Sequence, residues 1–173
     1  MKWLIIVVLT LFAVACASGN PQSAEQVLSD KVLTASMNND NSPLSDVDYD
    51  QISEYLSQGR PRWIALYPIL NQSPFLGITS FQEGLNISMA YALPENPEEV
   101  LKFVNENNIN SICGLPFIEP TQNETEAYFI LTSAALNKLP TGGYWQKRCL
   151  AVLKKRYAGQ KGEVRPEDGS SQQ

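Results

Sequence analysis

Apolar side chains recur every three to four residues along much of this 173-residue chain, and that spacing limits the fold more than any other feature. Such an interval places side chains on one face of an α-helix. The clearest stripe lies near the C-terminus and consists of Trp145, Cys149, Val152, Leu153 and Tyr157. The pattern predicts an all-α fold, a small helical domain whose helices bury these faces against one another.

A weak internal repeat organises the predicted helices. Residues 50–70 align without gaps to residues 98–118, and residues 85–93 align to residues 128–136. Repeats of about this period are typical of stacked helical units. We therefore expect two weakly duplicated helical units followed by a C-terminal helix. Identities between the copies are few, so chance similarity is the alternative explanation.

Two segments fit a strand as well as a helix. Residues 85–93 alternate larger apolar side chains with small or polar ones, as in a half-buried strand, whereas Leu85, Met89 and Leu93 step by four, as in a helix. Residues 62–70 are equally ambiguous. The alternative architecture is therefore α+β, with a helix–strand–strand unit used twice.

The first sixteen residues have the layout of an export signal. Lys2 precedes the apolar run Trp3–Ala15, and small residues lead to Cys16. The run is shorter than the roughly 20 residues that a membrane-spanning helix needs. A charged start, an apolar middle and a small-residue end are typical of a signal peptide.

The end of this signal, Phe12–Cys16, resembles the lipobox of bacterial lipoproteins, in which the signal is cut before a cysteine whose thiol carries lipid. Ala13 stands where such signals most often carry leucine. The resemblance implies that residues 1–15 are removed and that Cys16 is acylated. It also implies that Ala17 favours the outer membrane, with the protein on the inner leaflet facing the periplasm. The alternative is ordinary signal cleavage, after Ala15 or after Ala17, without acylation.

Composition divides the remaining chain into three parts. Residues 16–44 contain stretches rich in Asn, Ser and Pro, and are expected to be a flexible tether with one short helix after Ser23. Residues 159–173 are similarly polar and are expected to be a disordered tail. The globular helical domain is therefore predicted over residues 45–158.

Once Cys16 is set aside, two cysteines remain, Cys113 and Cys149. A signal peptide leads to an oxidising compartment, where an even number of thiols is expected to pair. Both cysteines also lie on predicted apolar helix faces, where they could meet in the core. We therefore expect a Cys113–Cys149 disulfide; two separate buried thiols are the alternative.

Charge and the absence of histidine exclude several classes of function. Removal of Lys2 with the signal leaves 12 basic and 18 acidic residues, a net charge of −6, which argues against binding nucleic acid. The chain contains no histidine, which excludes a Ser-His-Asp triad, a Cys–His pair and any His-ligated metal site. No catalytic residue, metal ligand or cofactor is predicted.

Two segments have the composition of a binding surface. Arg60, Arg62 and Trp63 are of residue types enriched at protein interfaces and form a possible interface. The favoured interpretation is that Trp63 fills the core while both arginines are solvated, because large aromatic side chains in small domains are usually buried. Residues 113–120 contain two prolines and one glycine, which suggests a fixed loop or a bent helix. Such a loop could shape a groove, but packing explains it equally well.

These features favour a membrane-anchored periplasmic lipoprotein that acts as a protein–protein interaction or scaffold module of the cell envelope. It would reach the membrane through lipid on Cys16 and bind another envelope protein, and an immunity or inhibitor protein is a special case. The acidic net charge suits a basic partner. The alternative is a carboxylate-dependent peptidoglycan hydrolase, with candidate acids Glu83, Glu119, Glu124 and Glu126.

The disulfide leads to a direct test. When the protein is alkylated in denaturant without prior reduction, so that a buried free thiol would also react, intact-mass spectrometry should find no label on Cys113 or Cys149. Reduction under denaturing conditions should then expose both thiols to the reagent, which serves as the positive control. A labelled thiol before reduction would contradict the predicted bond.

Overall fold

The computed structural model describes residues 23–140 and 142–163. Within these residues the chain forms eight α-helices, one short 3-10 turn at Phe75–Gly77 and no β-strand. The helices are, in chain order, α1 (Ala24–Asn38), α2 (Asp46–Ser57), α3 (Pro61–Leu70), α4 (Thr79–Glu95), α5 (Pro97–Leu101), α6 (Ile109–Ile112), α7 (Gln122–Lys138) and α8 (Tyr144–Glu163). The predicted all-α fold is confirmed. The α+β alternative is wrong, because both ambiguous segments are helical.

Polar side chains fix where several helices begin. Ser45 and Asp48 form a capping box at the start of α2, and Thr121 and Glu124 form another at the start of α7. In each box the serine or threonine accepts a backbone N–H while the acid accepts in return. The hydrogen bonds from Ser45 and Thr121 hold the pKa of Asp48 and of Glu124 below their usual values. Both helix starts are therefore specified by local sequence.

Helix α4 lies at the centre of the domain. Helices α2, α5, α6 and α7 all pack against it. Its buried side chains are Phe81, Leu85, Ser88, Met89, Ala90, Ala92 and Leu93. At 3.6 residues per turn these positions cover more than half of the helix circumference. A half-buried strand would cover one face only, so the burial of α4 explains why this segment is helical.

The predicted repeat is matched by helix order but not by packing. Helices α4 and α7 are both 17 residues long and begin 43 residues apart, which is the offset at which residues 85–93 align to residues 128–136. The second unit is otherwise shorter, since α5 and α6 span only 5 and 4 residues. Both short helices pack on α4, the last helix of the first unit. The two units therefore share one core and do not form equivalent stacked layers.

The predicted boundary between tether and domain is wrong. Helix α1 buries Leu28, Val32 and Ala35 in the core, and Lys31 pairs with Asp48 of α2 at 3.2 Å. The folded domain therefore includes α1 and does not start at residue 45. The short helix expected after Ser23 is present, but its apolar face packs into the domain, so the helix is not part of a flexible tether.

The predicted start of the C-terminal tail, at residue 159, is also wrong. Helix α8 extends to Glu163, so residues 159–163 are helical and not part of a disordered tail. Residues 1–22, which include the predicted signal peptide and Cys16, lie outside the described residues, as do residues 164–173. No helix among the described residues combines the length and the apolar content needed to span a bilayer.

The predicted interface residues hold α1 in place. Trp63 is completely buried, and its Nε1–H donates to Oε1 of Glu25 at 2.9 Å. Arg60 donates to the other oxygen of the same carboxylate at 2.6 Å, and Arg62 donates to Gln26. Trp63 therefore fills the core, as the interpretation favoured from the sequence expects, and the possible interface role does not apply to it. The three residues form an internal contact that joins α3 to α1.

The paired cysteines join the end of α6 to α8. Cys113 and Cys149 are disulfide-bonded, with Cα atoms 5.0 Å apart, and both are completely buried. The pairing agrees with the sequence prediction. A crosslink between residues 36 positions apart stabilises the fold by about 4 kcal/mol in the chain-entropy model.

The contact between Glu25 and Trp63 can be tested by substitution. Glu25→Ala leaves the buried indole N–H of Trp63 without an acceptor, so we expect it to lower the free energy of unfolding by about 1–3 kcal/mol. Glu25→Gln keeps an acceptor oxygen and should lose less. Urea denaturation followed by tryptophan fluorescence measures both. Glu83→Ala removes an exposed glutamate from α4 and serves as the control; an equal effect of Glu25→Ala and Glu83→Ala would contradict the proposed contact.

Candidate functional site

The loop from Cys113 to Pro120 is held at both ends. Its first residue is disulfide-bonded to α8, and its last precedes the capping box of Thr121 and Glu124. Near its start, a Cβ atom on Gly114 would lie 2.5 Å from the carbonyl oxygen of Asn110, which is closer than any side chain allows. The loop can therefore follow this path only with glycine at residue 114.

An aromatic cluster fixes the middle of the loop. The ring of Phe117 packs edge-on against Tyr91 of α4 and Tyr128 of α7, with centroids 5.9 and 5.5 Å apart. The hydroxyl of Tyr128 donates to the backbone carbonyl of Ala90 at 2.8 Å, and burial raises the pKa of Tyr128. The hydroxyl therefore stays protonated and serves packing. Aromatic rings packed edge to face stabilise a fold by more than the burial of their apolar surface alone, so the contacts of Phe117 hold the loop in place.

A groove of about 740 Å³ lies between this loop and the C-terminal half of α8. Its apolar lining comes from three elements, the loop, α4 and α8. The main apolar residues are Ile87, Leu115, Pro116, Phe117, Ile118 and Val152. Ile118 is 87% exposed and lies beside the other apolar residues of the groove lining. The prediction that residues 113–120 shape a groove agrees with this geometry.

The edge of the groove is cationic. Lys155 and Arg156 line it, and neither forms an ion pair with any residue of the described part of the chain. The sequence of α8 holds six of the chain's thirteen Lys and Arg residues and only one acid, Glu163. Helix α8 is therefore strongly basic, although the net charge of the whole chain is negative. Apolar walls with two unpaired cations suit a ligand that is both apolar and anionic.

The structure brings few of the predicted site residues to this groove. The Cys113–Cys149 bond braces one end, whereas Arg60, Arg62 and Trp63 lie at the α1–α3 contact. None of the four candidate glutamates lines the groove. Among the described residues, no three or more His, Cys, Asp or Glu side chains are grouped to hold a metal ion.

Two features of the groove were not predicted from the sequence: its cations, and the way in which residues of α4 and α8 come together to line it. The concentration of Lys and Arg in α8 was the available signal for Lys155 and Arg156. No sequence signal indicated that Ile87 would lie beside Val152, because those residues belong to helices that meet only in the folded chain.

Comparison with models of known protein families, with curated proteins and with solved structures gives no match for this chain. Its function must therefore be argued from the site and not from fold-level analogy. The fold and site define a disulfide-braced helical domain that presents a preformed apolar groove with a basic edge.

Gly114, near the start of the loop, provides a test of how rigidly the groove is formed. Gly114→Ala should force the loop away from α6 and lower the free energy of unfolding by about 1–3 kcal/mol, the range for overpacking. The matched control is Gly84→Ala, where an added Cβ meets nothing within 4 Å. Because alanine favours a helix over glycine by about 1 kcal/mol, the control should be neutral or stabilising. Thermal unfolding compares the two, and equal melting temperatures would contradict a tightly fitted loop.

Proposed function

We propose that this chain is a lipid-anchored protein of the cell envelope whose helical domain docks a segment of another envelope protein. The observation that carries the proposal is the groove, where exposed apolar side chains and two unpaired cations lie together. Apolar patches bordered by polar residues mark interaction sites on soluble domains. An immunity or inhibitor protein would be one form of this activity.

The chemistry of the groove specifies the docked segment. Apolar residues at helical spacing would fill the space between the loop and Val152, which is the helix-in-groove mode of peptide recognition. Asp or Glu on the flank of that segment would pair with Lys155 and Arg156. Such edge contacts chiefly set orientation and association rate, while the buried apolar side chains supply most of the affinity. The partner is therefore acidic at this surface, whatever its overall charge.

The proposed location is the inner leaflet of the outer membrane, facing the periplasm. The lipobox resemblance at Cys16 supports attachment through lipid, and a buried disulfide suits an oxidising compartment. Ser23, the first described residue, follows Cys16 by seven positions, a separation that an extended backbone spans in about 25 Å at most.

Binding is supported better than hydrolysis. Cleavage of a glycosidic bond by carboxylates alone needs two of them on opposite sides of the bond. Among the described side chains, those that line the groove include no Asp or Glu. Acidic residues elsewhere in the chain do not change this, because catalysis requires groups within reach of the ligand.

Site-specific crosslinking in cells tests the proposal. A photocrosslinking amino acid at Ile118 should join the protein to one partner, whereas the same probe at Val47, an exposed residue of α2, should not. The double variant Lys155→Glu/Arg156→Glu should reduce the crosslink by about tenfold, because it turns attraction for an acidic segment into repulsion.

The control variant reverses the same amount of charge on the same helix. Lys147→Glu/Lys154→Glu changes two exposed lysines of α8 that do not line the groove, and it should leave the crosslink intact. Equal loss in both double variants, or an equal crosslink from Val47, would contradict docking in the groove.

A further inference from the structure

A second cleft, of about 550 Å³, lies between the end of α3, helix α4 and the turn that follows α5. It shares no lining residue with the groove. Its lining is dominated by carboxamides, which are Asn71, Gln72, Asn86, Asn105, Asn107 and Asn108. Within the part of the chain that the structure describes, its lining includes no carboxylate and one cation, Lys102, which is paired with Glu99. The cleft is therefore polar and close to neutral.

Two buried polar side chains hold the cleft in shape. Tyr67 and Asn108 are only 6% and 8% exposed. The hydroxyl of Tyr67 donates to Oδ1 of Asn86 at 2.5 Å and accepts from Nδ2 of Asn108 at 3.4 Å. Asn108 also donates to the carbonyl of Phe103 at 2.9 Å and accepts from the N–H of Asn105 at 2.7 Å. This network fixes the turn and orients the Asn86 carboxamide before any ligand arrives.

Hydrogen-bonding groups remain free on the walls of the cleft. The Asn86 amide nitrogen and both polar atoms of the exposed Asn107 side chain form no hydrogen bond within the described residues. Asn71 donates to the carbonyl of Tyr67 at 3.3 Å, which leaves its side-chain oxygen available. Each carboxamide supplies one acceptor and two donors, so neighbouring carboxamides can match groups that both donate and accept.

We propose that this cleft binds a neutral glycan that carries N-acetylated sugars. Sugar hydroxyls and acetamido groups both donate and accept, as the free carboxamides require. The acetyl methyl would pack on the apolar surface that Pro68 and Phe103 add to the lining. A charged ligand would gain little affinity from its charge, because the described lining includes no carboxylate and its lysine, Lys102, is already paired. Without a pair of carboxylates the cleft binds the glycan and does not cleave it.

The test uses the full chain in detergent, ¹⁵N-labelled, with side-chain carboxamide signals observed by NMR. The probe is the β-1,4-linked tetramer of N-acetylglucosamine, and the matched control is the corresponding glucose tetramer, which lacks the acetamido groups. The acetylated probe should shift the Asn86 and Asn107 signals saturably and bind at least about fivefold more tightly than the glucose tetramer, as loss of a paired polar group implies.

Substitution decides whether the cleft is the binding site. Asn107→Ala removes an exposed carboxamide from the cleft and should weaken binding about fivefold. Asn110→Ala removes an exposed asparagine that lines the groove instead, and should leave binding unchanged. Three results would each overturn the proposal. The first is the absence of a saturable shift up to about 10 mM probe, since affinity beyond that concentration is negligible. The second is equal weakening of binding by both variants, and the third is tighter binding of a neutral peptide than of the acetylated tetramer.

Discussion

Helix α4 packs against helices from both halves of the chain, and the remaining packing depends on its burial. Leu85, Met89 and Leu93 are completely buried along it. Truncation of such a side chain to alanine costs about 2–5 kcal/mol, a large part of the stability of a small domain. Since α2, α5, α6 and α7 all meet this helix, the two predicted units share a single core.

The disulfide and the Phe117 cluster extend that core to the groove. Helix α6 has only four residues, too few to be stable without tertiary support. The bond from Cys113 to α8 and the rings of Tyr91 and Tyr128 provide that support. A groove held in this way needs little ordering when a ligand binds, which lowers the entropic cost of association.

Much of the fold could be predicted from local sequence, because the interactions that specify it are local. Apolar spacing indicated the helices, and the polar residues Ser23 and Ser45 lie at the starts of α1 and α2. Pairing of the two cysteines followed from their number and their expected compartment. Each of these signals acts within a few residues or depends on composition alone.

The features that were missed depend on contacts between distant residues. The docking of α1 rests on a hydrogen bond between Trp63 and Glu25, 38 residues apart, which no local pattern indicates. A helix was expected after Ser23, but the polar stretches on either side of it led to its assignment to the tether, although its residues Leu28, Val32 and Ala35 are buried in the core. The carboxamide cleft was marked only by four asparagines in residues 105–110, a composition equally typical of a solvated turn.

Native-state hydrogen exchange tests most directly the claim that one cooperative core, centred on α4, begins at α1. The amides of residues 85–93 and those of residues 32–35 should exchange only through global unfolding, with the same free energy as denaturant unfolding gives. Much faster exchange in α1 than in α4 would show that α1 is only loosely attached. Weaker protection of α4 than of α7 and α8 would show that the core is centred elsewhere.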